Sequence, residues 1–299
     1  MVKRASFVLV IFVALSLSVN GGKINIKFPT IGGKLFWTDV KIVKGWRVQQ
    51  NLVTGHYRLL NPCNVRHAWG SRDDCLKKIS QKVSVNKTAK TVILIHGLGL
   101  RKRSLKYLQA PLEKEGYQVV NFGYSTFFES IEDTSNKLAS VLEDYQGDLY
   151  FVTHSMGGIL LRHHLQENPR GVKGVAMLAV PNKGAEIVDF LKNKGLDSLL
   201  GMNGKRLNTD CDGLPHILSE PKAPFITVAG VKKNFFGYFP QFFLVPEDND
   251  GIVSESSTQL SNSLAHYKVG ESHFNIMKSL AVRDLILRFF EEQSEFLKK

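Results

Sequence analysis

The sequence predicts an α/β fold, with a mostly parallel sheet, helices on both faces and an antiparallel N-terminal edge. After residue 90, short apolar runs alternate with longer amphipathic segments. Strands buried on both faces are continuous apolar runs, so this alternation indicates parallel strands joined by crossover helices. Before residue 90, short segments of alternating polarity are separated by glycine, which is typical of antiparallel pairing. A chain of 299 residues with 43% hydrophobic content is long enough for one large domain.

The first 21 residues have the composition of an export signal. A basic start at residues 1–4 is followed by an almost unbroken apolar run at 5–19, which is short for a membrane-spanning helix. We therefore expect an exported protein, periplasmic or secreted, whose signal peptide is either cleaved or kept as an N-terminal membrane anchor. The remainder, 22–299, is predicted to be a single domain with a β-rich part at 22–90 and a core at 91–299.

The secondary structure follows from the period of the apolar residues. In the N-terminal part, strands are predicted at 24–28, 34–43 and 46–53, and a short helix at 74–80 within an otherwise irregular segment, 61–88. The core strands are predicted at 91–95, 118–122, 149–153, 174–180, 225–230 and 266–269. The core helices are predicted at 103–115, 131–145, 156–167 and 274–291. Short helices within 187–194 and 196–200 would form a small cap rather than a large lid.

The formal net charge is +12, with lysines scattered rather than clustered. This distribution indicates a solvated basic surface, and it would also favour contact with an anionic membrane surface. Nucleic acid is not an expected partner, because the chain has no nucleic-acid-binding motif and is predicted to leave the cytoplasm.

The three cysteines suggest one bridge and no metal site. Cys63 and Cys75 flank a polar segment and could form a disulfide in an oxidising compartment. Cys211 is then predicted to be a free, buried thiol. None of the three has metal-ligand spacing with a histidine, so no metal is expected.

The strongest functional pattern is Thr-His-Ser-Met-Gly-Gly at residues 153–158, where a predicted core strand meets a predicted helix. A sharp strand-to-helix turn of this kind presents a nucleophilic serine, here Ser155, and it requires small residues on both sides. Gly157 meets that requirement downstream, whereas Thr153 occupies the upstream position at which glycine is usual. The alternative interpretation is an ordinary serine N-cap.

Two backbone N–H groups are candidates for stabilising an oxyanion. The segment His-Gly-Leu-Gly at 96–99 directly follows the first core strand, and its glycines allow a tight loop. Attack on an ester creates a negative oxygen that needs donors already in place. We expect these donors to be the N–H groups of Leu98 and of Met156, with His96 supporting the loop.

Two later loops contain candidates for the acid and the base. The segment at 247–253 follows the fifth core strand and contains Asp250, which precedes a glycine, and Asp248 as the alternative. The two aspartates could instead hold Ca²⁺, although the ligand set is incomplete. His273 follows the sixth strand and is the predicted base, so the chain order is serine, aspartate, histidine. His266, within that strand, is a weaker candidate.

With these motifs, residues 90–290 resemble bacterial lipases and esterases of the α/β-hydrolase superfamily. They are also similar to triacylglycerol lipases and to lipase-like relatives, the glycosylphosphatidylinositol-inositol deacylase-like proteins. Met-Leu-Ala-Val-Pro-Asn-Lys-Gly at 177–184, Asn-Phe-Gly-Tyr-Ser at 121–125 and Ser-Ile-Glu at 130–132 resemble segments of that group. The resemblance implies hydrolysis of acyl esters without a cofactor.

The expected activity is therefore a serine hydrolase acting on carboxylic esters, with a lipid-like acyl ester as substrate. Phe235 and Phe242, in an aromatic segment before the acid loop, are predicted to border the acyl chain; the alternative is ordinary core packing. A thioesterase, an acyltransferase and a lipid deacylase are alternatives, because the three residues do not select the leaving group. A non-catalytic envelope or binding protein of the same fold is the alternative from another class.

Overall fold

The computed structural model of the protein describes residues 35–168, 171–232 and 248–296. The predicted signal peptide, the predicted strand at 24–28, and Phe235 and Phe242 lie outside these residues. Within the described ranges, no helix is both long and apolar enough to cross a membrane.

The N-terminal part forms an antiparallel sheet of its own. Its strands, hydrogen-bonded in chain order, are β1 (Trp37–Val43), β2 (Trp46–Asn51), β3 (Tyr57–Leu60) and β4 (Arg66–Gly70). Helix α1 (Arg72–Ser80) covers one face, and Ser71 caps it by accepting a hydrogen bond from the backbone N–H of Asp74. Strands and helix share a small apolar cluster that includes Val48, Leu59, Cys75 and Ile79.

The core is a six-stranded sheet in which every neighbouring pair is parallel, as predicted. Its strands are β5 (Thr91–Ile95), β6 (Gln118–Phe122), β7 (Leu149–His154), β8 (Val172–Leu178), β9 (Phe225–Gly230) and β10 (Ala265–Val269), in the spatial order β10-β9-β8-β7-β5-β6. β5, β7 and β9 are buried at every residue, which explains their continuous apolar sequences.

Helices cover both faces of the parallel sheet. In chain order they are α2 (Lys106–Lys114), α3 (Ile131–Leu142), α4 (Met156–Glu167), α5 (Glu186–Asn193), α6 (Gly201–Gly204), α7 (Leu214–Ile217), α8 (Glu255–Thr258) and α9 (Leu280–Phe296). Leu138 of α3 and Ile159 of α4 pack in one apolar layer, whereas Leu108 of α2 and Ile286 of α9 pack in the other. Each such side chain stabilises the fold by about 1.5–3 kcal/mol relative to exposure. The two short helices predicted within 187–194 and 196–200 are present as α5 and a 3₁₀ turn, Asp197–Leu200.

The structure corrects three details of the predicted secondary structure. Strand β4 lies within the segment predicted to be irregular, because only Ala68 of its five residues is buried and the apolar pattern is weak. Strand β8 ends at Leu178 because Ala179 has a φ of 48°, which an extended strand does not allow. The closing helix begins at Leu280 rather than at 274, since the extended backbone of Ser279 separates it from a 3₁₀ turn, Ile276–Lys278.

The predicted disulfide is wrong. All three cysteines are free thiols. Cys75 faces the apolar cluster beneath α1, whereas Cys63 lies exposed in the turn between β3 and β4, so the two side chains belong to different environments. Cys211 is exposed rather than buried, which also differs from the prediction.

Hydrogen bonds dock the antiparallel sheet at the carboxyl end of the parallel sheet. The N–H of Asp39 donates to the carbonyl of Gly123 at 2.8 Å, and the N–H of Gly123 donates to Oδ2 of Asp39 at 2.8 Å. The N–H of Ser125 donates to the hydroxyl of Thr38 at 3.1 Å. Because Gly123 directly follows β6, the N-terminal sheet lies at the edge where ligands of open α/β sheets bind.

We expect protonation of a buried histidine to make stability depend on pH. Burial lowers the pKa of His164, on α4 beside Ser135, from 6.5 to about 4. Between pH 4 and pH 6.5, the unfolded chain therefore binds more protons than the folded protein does. The contribution of His164 to stability is fully present above pH 6.5 and is lost as the pH falls towards 4. For this group, the free energy of unfolding should decrease by roughly 2 kcal/mol from about pH 7.5 to about pH 5.

Urea unfolding at the two pH values measures this effect. His164→Gln should reduce the pH dependence by that amount, whereas His216→Gln, which removes an exposed imidazole, should keep the wild-type dependence. Equal pH dependence in wild type and His164→Gln would show that His164 does not titrate across this range.

Candidate active site

Ser155 occupies a strained turn between β7 and α4. Its φ is 52° and its ψ is −130°, a region that residues other than glycine rarely adopt and that costs roughly 1–3 kcal/mol. The surrounding sheet holds this conformation, since the N–H of Ser155 donates to the carbonyl of Leu178 on β8 at 3.0 Å. The serine is thus placed at the carboxyl end of the sheet, immediately before the first turn of a helix.

Two glycines allow the backbone segments around this turn to approach closely. A Cβ added at Gly157 would lie 2.5 Å from the carbonyl oxygen of Ile95, and one added at Gly97 would lie 2.7 Å from Cβ of Ser155. Both distances are shorter than side chains tolerate, so α4 can pack against the end of β5 only with glycine there. Thr153 is accommodated within β7, paired with Ile95 and Met177, and is fully buried.

Asp250 and His273 form a buried hydrogen-bonded pair. Nδ1 of His273 lies 2.7 Å from Oδ2 of Asp250, and the N–H of His273 donates to the carbonyl of Asp250 at 3.0 Å. The two residues are only 2% and 4% exposed, respectively. Since a carboxylate accepts, Nδ1 of His273 carries the proton and Nε2 is left as an acceptor.

The backbone fixes the orientation of the Asp250 carboxylate. Its Oδ1 accepts hydrogen bonds from the N–H groups of Ile252 at 2.9 Å and Val253 at 2.8 Å, around a turn in which Gly251 has a φ of 95°. The other oxygen, Oδ2, is thereby directed at His273. The alternative residue, Asp248, is exposed, and its carbonyl accepts a hydrogen bond from the N–H of Glu255. The structure therefore pairs His273 with Asp250.

His154 links the serine turn to His273, a role that the sequence did not reveal. Nε2 of His154 donates to the backbone carbonyl of His273 at 2.8 Å, and the two rings are 4.7 Å apart. Burial, together with the neighbouring His273, holds the pKa of His154 well below its usual value, so its ring is neutral. The residue directly before Ser155 thus positions the backbone of the predicted base.

Replacing His154 should impair turnover rather than binding. In His154→Leu, the buried carbonyl of His273 loses its hydrogen-bond donor, which costs roughly 1–3 kcal/mol. We expect the imidazole of His273 to shift as a result. Because displacements near 1 Å cost about a hundredfold in rate, we expect kcat on an acyl ester to fall by about 10², with KM nearly unchanged.

His154→Gln is the matched variant, because its amide can donate to the same carbonyl. It should recover most of the activity lost in His154→Leu. Wild-type kcat in both variants would show that His154 has no positioning role.

The two predicted oxyanion donors lie in the segment after Ser155 and in the loop after β5. Met156 is the first residue of α4 and is fully buried, so its N–H lies in the first helical turn, where helices have no acceptor of their own. Leu98 lies in the tight loop after β5, where the N–H of Leu100 donates to the carbonyl of Gly97 at 3.2 Å. Both N–H groups therefore belong to segments that converge on the serine turn, as the contact of Gly97 with Ser155 shows.

His96 supports this loop from within the protein. Its ring stacks on Tyr124 with the ring centres 4.5 Å apart, and the Tyr124 hydroxyl donates to the His96 carbonyl at 2.6 Å. Burial lowers the pKa of His96 to about 4. His96 is therefore neutral at physiological pH.

A second histidine–carboxylate pair involves the weaker candidate, His266. Its Nε2 lies 2.8 Å from Glu255 and its Nδ1 lies 2.7 Å from the Thr227 hydroxyl. Lys268 also pairs with Glu255, at 3.1 Å. These contacts tie β10 to β9 and α8, and they engage both ring nitrogens of His266. Among the described residues, no cluster of three or more metal-ligating side chains is present.

The parallel sheet in this strand order, the strained serine after β7 and the buried Asp250–His273 pair on later loops define the α/β-hydrolase fold. The predicted fold class is therefore confirmed.

Comparison with solved structures shows that a lipase and a phospholipase share the fold of this chain. The propeptide form of the lipase BlEst2 from Bacillus licheniformis matches with a TM-score of 0.56 and 19% identity, over 70% of this chain and 51% of that chain. Its mature form matches with a TM-score of 0.53 and 18% identity, over 70% and 94%. Phospholipase PlaB from Legionella pneumophila matches with a TM-score of 0.51 and 15% identity, over 70% and 62%. No protein-family model and no curated protein sequence matches.

Proposed function

We propose that the protein is a serine hydrolase that cleaves carboxylic esters, with lipid-like acyl esters as substrates, through an acyl-enzyme on Ser155. One observation supports this proposal: the buried Asp250–His273 pair is hydrogen-bonded to His154, the residue directly before the strained Ser155. The structural neighbours support the substrate class, because they are a lipase, in two forms, and a phospholipase.

In the proposed mechanism, His273 accepts a proton and then donates it in each half of the reaction. Nε2 of His273 accepts the Ser155 proton as the hydroxyl oxygen attacks the ester carbonyl, and the N–H groups of Leu98 and Met156 stabilise the oxyanion. Asp250 keeps the imidazole in the required tautomer and stabilises the imidazolium. The proton then passes to the leaving alkoxide, and water hydrolyses the acyl-enzyme by the same steps.

A fluorophosphonate probe tests the nucleophile directly. We expect covalent labelling of the wild-type protein and no labelling of Ser155→Ala. Labelling that persists in Ser155→Ala would refute the assignment, and absence of labelling in both would favour a non-catalytic binding protein. A panel of acyl esters and matched thioesters, from about two to about sixteen acyl carbons, then separates a lipase from an esterase and a thioesterase.

A further inference from the structure

A basic cavity of about 110 Å³ opens between the N-terminal sheet and the loop after β5. This volume accommodates several water molecules, at roughly 10–15 Å³ each, or one small anionic group. Five basic side chains line it, namely Arg47, Arg58, Arg101, Lys102 and Arg103, and no carboxylate is among its described lining residues. We call it the cationic pocket.

A polar ladder across three strands borders the cationic pocket through Gln49 and Arg58. Asp39, Gln49 and Arg58 are in register on β1, β2 and β3. Gln49 donates to Oδ1 of Asp39 at 2.7 Å, and Arg58 donates to the Gln49 amide oxygen at 2.8 Å and 3.0 Å. The guanidinium of Arg58 also lies 3.8 Å from the ring centre of Trp37. The Arg58 side chain is therefore pre-oriented before any ligand binds.

The one buried acid of this ladder does not neutralise the pocket. Both Asp39 oxygens accept hydrogen bonds from uncharged donors, Gln49 and the N–H of Gly123. Burial raises the pKa of Asp39 to about 6. Burial also lowers the pKa of Arg58 to about 9, an effect that Asp39 opposes and the nearby Arg47 and Arg66 reinforce. The positive charge of this region thus exceeds its negative charge.

Arg47 supplies an unused donor. Its side chain is only 4% exposed, and its Nε has no hydrogen-bond partner among the described residues, although Nη2 donates to Asn64 at 3.3 Å. A buried cationic N–H without an acceptor is costly. Arg47 also lines the cationic pocket, so its guanidinium contributes positive charge there.

We propose that the cationic pocket binds a phosphate group. Guanidinium groups match phosphate oxygens with paired hydrogen bonds, and five basic side chains favour a dianion over a single carboxylate. The phosphate could belong to the alcohol part of an ester substrate or be free phosphate. The loop after β5 borders both places, because His96 lines the cationic pocket and a Cβ added at the next residue, Gly97, would lie 2.7 Å from Cβ of Ser155. This substrate assignment rests on the proposed function, whereas phosphate binding does not.

Titration calorimetry with inorganic phosphate, at constant ionic strength with chloride as the reference, tests binding. We expect one saturable site in the wild type and affinity at least about tenfold weaker in Arg47→Gln. Arg101→Gln, which changes an exposed side chain and leaves the ladder intact, should also weaken binding. Arg283→Gln removes a positive charge from α9 and should bind like the wild type. Absence of saturable binding, or wild-type affinity in both pocket variants, would overturn the proposal.

Kinetics distinguish the two sources of phosphate. The ratio of kcat/KM for an acylglycerol phosphate to that for the same acylglycerol is compared in wild type and Arg47→Gln. A ratio that falls about tenfold or more assigns the cationic pocket to the substrate. An unchanged ratio, with calorimetric binding lost, assigns it to free phosphate. A wild-type protein inactive on every ester would refute the proposed function and leave the binding result intact.

Discussion

Ser155→Ala is expected to lower kcat on acyl esters by roughly four to six powers of ten, with little change in KM. Alanine lacks the attacking oxygen, so no acyl-enzyme can form, whereas the proposed oxyanion donors, the N–H groups of Leu98 and Met156, remain. The residual rate then reflects water attack assisted by those donors. Steady-state kinetics with a chromogenic acyl ester, with active sites counted by the fluorophosphonate probe, measures the effect.

Stability provides an internal check on this variant. Ser155 has a φ of 52°, a strained conformation that alanine would have to adopt as well, so Ser155→Ala should fold with a similar melting temperature. Ser80→Ala, which changes an exposed serine at the end of α1, should keep wild-type kinetics. A fully folded Ser155→Ala that retains more than about one per cent of wild-type kcat would contradict the acyl-enzyme mechanism.

Asp250→Asn is expected to reduce kcat by roughly three to four powers of ten. Oδ2 of Asp250 accepts the hydrogen bond from Nδ1 of His273 at 2.7 Å, and Oδ1 is held by two backbone N–H groups. Asparagine can keep the backbone contacts with its carbonyl oxygen, and its amide nitrogen then faces His273. The imidazole of His273 must then present a lone pair at Nδ1 and carry its proton on Nε2. In this tautomer, Nε2 cannot accept the proton of the Ser155 hydroxyl.

Asp248→Asn is the matched control, because it makes the same chemical change two residues away on an exposed side chain. It should leave kcat near the wild-type value. A severe loss in Asp248→Asn together with a silent Asp250→Asn would show that Asp250 is not the acid. Comparing kcat across pH in both variants also separates a change of tautomer from a loss of folding.

Local patterns were sufficient to predict most of the parallel core. Residues 91–95 coincide with β5, because five consecutive apolar residues are typical of a strand buried on both faces. Residues 156–167 coincide with α4, because Pro169 follows closely and a proline ends a helix. Prediction failed where the pattern was weak or interrupted. Strand β4 has one buried residue of five, and the closing helix begins only after Ser279 breaks an apolar run that has helical spacing.

The residue types of the proposed reactive groups can be recognised from local sequence: Ser155 between a strand and a helix, an aspartate before Gly251, and His273 after the last strand. Which of these groups lie together depends on the fold. His273 pairs with Asp250, 23 residues away, and its carbonyl accepts from His154, 119 residues away. The cationic pocket likewise combines β1–β3 with residues 101–103. The physical reason is that the periodicity of apolar residues and the conformational preferences of turns are set by a few neighbouring residues. Contacts between distant side chains depend instead on the register and packing of the strands.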